Sequence, residues 1–393
     1  MLIIQLGANL IFSQFYLINK MILKQINSMK YFESLVEQFC IVLILCLFSS
    51  CEQKKTLIEG NINNLPDGVM YLCKDNNVNK IDSIETKKGK FAFKQNLDNE
   101  PIYLALHHID KNGVFRMISF PTKATYNNSG YNSSLFMSDS IVSFNGFFTD
   151  NTPVGIDTRG TIFVTTPEIK AGYQTNAMFH TDGDLFNNIN KDTYEKVASK
   201  IKEYPNSFHL LYQIDNTRNS FSADQINSLL STFKGKITES NTFKNLKDYN
   251  GKRFDKKKLS VPLLTDNKGK KIEVLDNKFK KHLVVFWASW CGPCRQEIPS
   301  LKKMYTKYKN NIEFVSISTD TKNSLWLKAL EKEEMAWKQL VVNEKSKEYE
   351  PIEIIFQLSS SIPYMVLLDN DMKVLKSHVG SMNENELENF INN

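Results

Sequence analysis

Two cysteines three residues apart, set where an apolar run gives way to a helical pattern, constrain this chain more than any other feature of its sequence. Residues 283–287 (LVVFW) are continuously apolar, as a central strand covered on both faces requires. From residue 295 to residue 309, Ile298, Leu301, Met304, Tyr305 and Tyr308 recur at helical spacing and make one stripe. Cys291 and Cys294 stand at the junction. On a helix their β-carbons come within roughly 5–6 Å, near enough for a disulfide after a small adjustment. The pair is expected to switch between dithiol and disulfide.

The two sulfurs are not equivalent in this reading. Cys291 falls at the helix N-terminal end, where free amide N–H groups and the positive end of the helix dipole stabilise a thiolate. It is expected to lie open to solvent and to attack. Cys294, one turn in, is expected to be covered by the helix and to resolve the mixed disulfide that Cys291 forms with a substrate. Pro293 has no N–H to lose in a first turn, and Gly292 leaves the approach open.

A tetrahedral zinc site would need two more Cys or His ligands at motif spacing. Only His378 follows, and no cysteine lies beyond Cys294, so zinc is set aside. The flanked motif FWASWCGPC resembles the thioredoxin active site, and with RQEIP after it the segment resembles the TlpA-like branch of membrane-tethered thiol-disulfide oxidoreductases. The resemblance covers about residues 255–393. Strands at 311–318, 338–342, 364–368 and 372–379, helices at 321–334 and 384–391, and a turn at 369–371 give a βαβ half followed by a ββα half, an α/β thioredoxin-like fold.

The resemblance carries further expectations. Pro363 in SSIPYMVLLD stands where the family has a cis proline, which would put the Ile362 backbone beside the cysteines to pair with an extended substrate. Glu297 matches the acid that TlpA-like proteins place near the cysteines to move protons; the plainer alternative is a solvated helix carboxylate. Pro299 would kink that helix. Trp290 would flank the sulfurs as a substrate platform or as a packing residue. Two positions depart from the pattern: Val285 replaces thioredoxin's buried acid, leaving Glu297 for its task, and Tyr364 follows the proline where many relatives have Thr, so its ring could narrow substrate choice.

Near the amino terminus, residues 39–48 (FCIVLILCLF) are apolar and uncharged. As a helix they span roughly 15 Å, half of a bilayer core of about 30 Å, so they cannot cross it. With Lys30 before and Ser49, Ser50 and Cys51 after, the segment has the form of a secretory signal. Its end resembles a bacterial lipobox, which would make Cys51 the lipidated first residue of the mature protein, although Phe48, Glu33 and Glu37 are unusual there. Residues 1–28 fit such a leader poorly, and a translation start at Met21 or Met29 is expected. The domain division is then residues 1–50 leader, 51–180 all-β module, 181–250 helical connector and 251–393 thioredoxin-like domain.

Residues 56–166 show short, partly alternating segments punctuated by Gly60, Gly68, Gly89 and Gly113, as in a small antiparallel sandwich. The layout resembles the all-β module of unassigned role found ahead of lipoprotein thioredoxin domains. No catalytic cluster emerges from it. His107 and His108 are adjacent and would face opposite sides of a strand, and Cys73 reads as a buried free thiol. Farther on, Ser222–Gln225 matches a capping box ahead of Ile226, Leu229, Leu230 and Phe233, and Tyr194, Val197 and Ile201 form a stripe ending before Pro205. These helices are expected to act as a spacer, and the basic run from Lys252 to Lys258 as a solvated linker.

The 49 basic and 43 acidic residues are interspersed, giving +6 without a polyanion footprint, so nucleic acid is set aside. The composition fits several globular domains and excludes a polytopic membrane protein. The expected function is reduction or exchange of disulfides in exported proteins at the cell envelope, with no cofactor and with electrons from a membrane donor. Gly-Pro between the cysteines resembles the reducing thioredoxins more than the strongly oxidising members. A peroxiredoxin-like peroxidase would want Thr three residues before a lone peroxidatic Cys, where this chain has Ala288. A third alternative is a non-enzymatic envelope protein whose β module binds a ligand.

Overall fold

The computed structural model describes residues 55–75, 79–96, 100–254 and 259–392. Cys51, the leader and the expected lipidation site lie outside the described residues, as do Lys256, Lys257 and Lys258. Among the described residues, no helix is long and apolar enough to cross a membrane.

The N-terminal part is strand-rich. β1 (Lys55–Ile62), β2 (Gly68–Lys74), β3 (Asn79–Thr86), β4 (Lys90–Asn96), β5 (Tyr103–Asp110), β6 (Phe115–Tyr126), β7 (Ser129–Ser133), β8 (Phe136–Met137), β9 (Ile141–Gly146), β10 (Thr149–Asp150) and β11 (Ile162–Thr165) form two sheets. One runs β4-β1-β9; the other runs β10-β11-β6-β5-β2-β3, with β7 on β6 and β8 on β5. Alternate residues from both meet in one apolar cluster: Ile58, Phe93 and Phe144 from the smaller sheet, Met70, Leu72, Leu106 and Phe120 from the larger. The expected all-β module is present, but its sheets are mixed and not purely antiparallel: β1 runs parallel to β9, and β11 parallel to β6. β3 was not foreseen, because an edge strand that is mostly exposed carries no apolar alternation.

Two glycines behave differently from expectation. Gly60 lies inside β1, where a Cβ would meet the Phe91 ring at 2.2 Å, so it makes room for a neighbour and forms no turn. Gly68 opens β2. Gly89 and Gly113 do turn the chain, with φ of 75° and 82°.

Five helices follow: α1 (Tyr173–Phe179), α2 (Lys191–Glu203), α3 (Phe208–Asn216), α4 (Ala223–Thr232) and α5 (Asn241–Phe254). α4 starts at the foreseen capping box, with Ser222 Oγ accepting from the Gln225 amide and Gln225 Oε1 from the Ser222 amide. α2 ends at Glu203, two residues before Pro205, as foreseen. The spacer reading fails, because Val197, Ile201, Leu210, Ile226, Leu229 and Leu246 belong to the same apolar cluster as the strands. An amphipathic helix buries its stripe in the nearest apolar surface, here the sandwich. The linker reading fails too for Lys252 and Arg253, both within α5: Lys252 pairs with Asp248 and Glu350, and Arg253 donates to the carbonyls of Arg218 and Phe221.

The C-terminal part comprises β12 (Leu264–Asp266), β13 (Lys271–Ile272), β14 (Lys281–Trp287), α6 (Gly292–Tyr308), β15 (Glu313–Ser318), α7 (Asn323–Glu333), β16 (Lys338–Val341), α8 (Tyr349–Phe356), β17 (Tyr364–Asp369), β18 (Val374–Val379) and α9 (Glu384–Asn392). The sheet order is β13-β12-β16-β15-β14-β17-β18, with β14, β15 and β16 parallel and β17 antiparallel to β14. Alternation along β14 sorts its residues onto two faces. Val284 and Phe286 pack with Ile355 and Phe356 of α8, whereas Leu283 and Val285 pack with Leu301 and Met304 of α6 and Leu387 of α9. This is the thioredoxin-like fold.

Candidate active site

The site grows from the end of β14. Its strand is buried from His282 to Trp287, and α6 begins at Gly292. Between them, Asp320 holds the connecting loop: its buried carboxylate accepts from the Ser289 amide (2.8 Å), from Ser289 Oγ (2.6 Å) and from Ser318 Oγ (2.7 Å). A charged acceptor with three donors rigidifies that turn. Sequence reasoning missed Asp320. Its only local trace is the Ser-x-Asp pattern at 318–320, while its bond to Ser289 spans 31 residues and needs the parallel pairing of β14 and β15.

Cys291 is the N-cap of α6, and its Sγ accepts from the Cys294 amide at 3.2 Å. Cys291 and Cys294 form a disulfide with Cα atoms 5.3 Å apart. The spacing argument therefore holds. The expected difference in exposure does not: Cys291 is 4% exposed and Cys294 3%, since both are walled by Trp287, Ile298 and Trp326. What distinguishes the sulfurs is the amide donated to Cys291. Pro293 occupies the first turn of α6, and a Cβ at Gly292 would meet nothing within 4 Å, so the approach there is open.

Glu297 is buried, 3% exposed, with its Oε1 accepting from the Met382 amide at 2.6 Å. The solvated alternative is thus excluded. Burial pushes its carboxyl up to about 7, against the opposing pull of the Met382 amide. Trp290 is 70% exposed, so it is not a packing residue. The Ile362–Pro363 peptide bond is cis. Ile362 packs against the cluster that contains both cysteines, and the Pro363 carbonyl accepts from the Gly380 amide at 2.8 Å. Tyr364 does not face the site. It pairs with Phe286 in register, is 2% exposed, and its hydroxyl donates to the Phe356 carbonyl on the α8 side of the sheet. Strand alternation puts its ring on the α8 face of the sheet, with Phe286. Val285 is enclosed by apolar neighbours, as its side chain requires.

Comparison with known proteins agrees with this geometry. Residues 278–374 match the model of a family described as thioredoxin-like, and residues 56–146 match a family described as a domain of unknown function, DUF4369. The chain is 29% identical over 151 residues to the thiol-disulfide oxidoreductase ResA of Bacillus cereus, covering 36% of this chain and 83% of that protein. It is 29% identical over 122 residues to the thioredoxin-like protein YneN of Bacillus subtilis, covering 30% and 68%. Among solved structures, the thioredoxin domain of a thiol-disulfide oxidoreductase from Bacteroides vulgatus is 27% identical, covers 34% of this chain and 97% of its own, and has a TM-score of 0.28.

Proposed function

We propose that this chain, whose C-terminal domain is thioredoxin-like and similar to thiol-disulfide oxidoreductases, is a TlpA-like member of that group and reduces or exchanges disulfides in exported proteins through Cys291 and Cys294. The observation that carries the reading is the Cys294 amide aimed at Cys291 Sγ from the first turn of α6. In the dithiol form that amide, with the helix end behind it, stabilises a thiolate at Cys291.

The exchange then runs in two steps. The Cys291 thiolate attacks one sulfur of a substrate disulfide, forming a mixed disulfide and expelling the other substrate sulfur as a thiolate. Cys294 next gives up its proton and attacks Cys291 Sγ, which re-forms the disulfide seen in the structure and releases the second substrate thiolate. Glu297, one turn beyond Cys294, takes that proton. With a carboxyl near 7 it can accept and return a proton close to neutrality. The substrate lies against the Ile362 backbone and the exposed Trp290 face. Two electrons are consumed per turnover, so a membrane donor must restore the dithiol, and a lipid at Cys51 would keep the domain near it.

Replacing Cys294 by Ser tests the reading directly. Expressed in its host, Cys294→Ser should accumulate a mixed disulfide through Cys291 that a reductant dissolves. No trapped exported protein, with Cys291 still alkylatable, would overturn it.

A further inference from the structure

The mechanism leaves unused a polar cluster in which the N-terminal helices grip the segment leading into the cis proline. Lys55–Asn393 is one compact unit, and this cluster joins its N-terminal helical part to α8. After α3 the chain makes a short turn over Arg218–Ser220. Arg218 grips Glu353 of α8 through two parallel bonds, Nε to Oε1 at 3.0 Å and Nη2 to Oε2 at 2.7 Å. Its third nitrogen, Nη1, donates to Asp215 at 2.9 Å, and its guanidinium lies 4.1 Å from the Tyr249 ring centre. Asn219 donates to Glu353 Oε1 at 3.0 Å and to the Leu358 carbonyl at 2.7 Å, while its own Oδ1 accepts from Tyr249 at 2.8 Å.

The position of Leu358 gives this cluster its meaning. Leu358 is buried, and its amide donates to the Glu353 carbonyl where α8 ends. Only Ser359, Ser360, Ser361 and Ile362 separate it from Pro363, whose carbonyl is fixed by Gly380. The serines carry no apolar anchor, and Ser360 and Ser361 are exposed. The loop leading into the cis proline is therefore held at one end by Gly380, just past β18, and at the other by Asn219, a residue outside the thioredoxin-like domain. A buried carboxylate at Glu353, 7% exposed, would be a liability without a partner, and the N-terminal helices supply the cation it faces.

We propose that Arg218 and Asn219 are positioning residues for disulfide exchange: they set the 359–362 loop at the geometry that an extended protein substrate pairs with, making the N-terminal domain part of the substrate-binding apparatus. This deepens the proposed function and rests on it. The exchange chemistry itself sits at Cys291 and does not pass through the cluster. A small disulfide needs only the sulfur, whereas a polypeptide must also lie along Ile362. Loosening one end of the loop should penalise the second far more than the first.

The test uses the full chain and compares Asn219→Ala, Arg218→Ala and the parent on a protein disulfide (insulin) and a small one (dithiobis-nitrobenzoate). With Asn219→Ala, kcat/KM for insulin should fall by about tenfold, mostly through KM, and by at least fivefold more than for the small disulfide. Amide exchange at residues 359–362 should quicken in the same variant. Arg218→Ala should show the same split more strongly if it folds, and Asn219→Ala, which removes no charge, keeps the question answerable if it does not. Equal losses on both substrates, or none on insulin, would overturn the positioning role while leaving the exchange reading intact. A parent chain inactive on both substrates would overturn the exchange reading and this role with it.

Discussion

At the scale of single residues, Glu297 is the most exposed to test. Its carboxyl is raised from an ordinary 4.5 to about 7 because burial disfavours the charge. The folded chain therefore binds that proton more tightly than the unfolded chain, so the stabilisation is complete below about 4.5 and is lost as pH rises through about 7. Glu297→Gln should remove this slope: urea midpoints of variant and parent, taken between pH 4 and 8, should diverge in the variant's favour toward alkaline pH. Its exchange rate should fall by about 10²-fold at pH 7, and the inflection near 7 should vanish from the pH–rate profile. Trp290→Ala should leave stability within about 0.5 kcal/mol, since its ring is mostly in water, while raising KM for protein disulfides. The cysteine pair was legible because its spacing at the start of a helix is itself the geometry, whereas Glu297 was singled out by the resemblance of its segment, since spacing alone left a solvated carboxylate open. Asp320 was not, because its partner Ser289 is distant in sequence, and Tyr364 was misjudged because its side of the sheet was not followed through from Phe286.

At the scale of elements, legibility followed apolar periodicity. β14 and α6 announce themselves with a buried run and a clean stripe, whereas β3 faces water and α8 hides its helical character. α8 carries Pro351 in its first turn and Ile352, Ile354 and Ile355 within it, and it ends on Gln357 at φ 52° instead of on a glycine. Turn positions offer a sharp check. At Gly89 the backbone has φ of 75°, and a Cβ would sit 1.9 Å from the Ile62 carbonyl oxygen, which is backbone and cannot swing aside. Gly89→Ala should cost about 2 kcal/mol or more, read as a lowered urea midpoint, because left-handed strain and overpacking add. An alanine at Gly113 has a similar φ, 82°, but open space around it, so it should cost only the backbone part, about 1 kcal/mol. A Gly89 variant no worse than the Gly113 one would mean that β1 can shift freely.

At the scale of the whole molecule, the N-terminal strands and helices share one core, which no local pattern announces, since a helix stripe does not say which surface will cover it. Ile58→Ala in β1 and Leu229→Ala in α4 should each cost about 2–5 kcal/mol and move the same calorimetric transition. Separate shifts would show that sandwich and helices melt independently. The helices read from sequence as a connector thus share the apolar cluster of the N-terminal strands. Cys73 is wholly buried in β2, is the only free cysteine among the described residues, and has its thiol pushed up by burial. Among the described residues, then, a protein that trades in sulfur bonds keeps its one spare thiol behind a wall. The Cys291–Cys294 pair therefore has, among the described residues, no accessible thiol within the chain to trade with, and its exchange is turned toward other molecules.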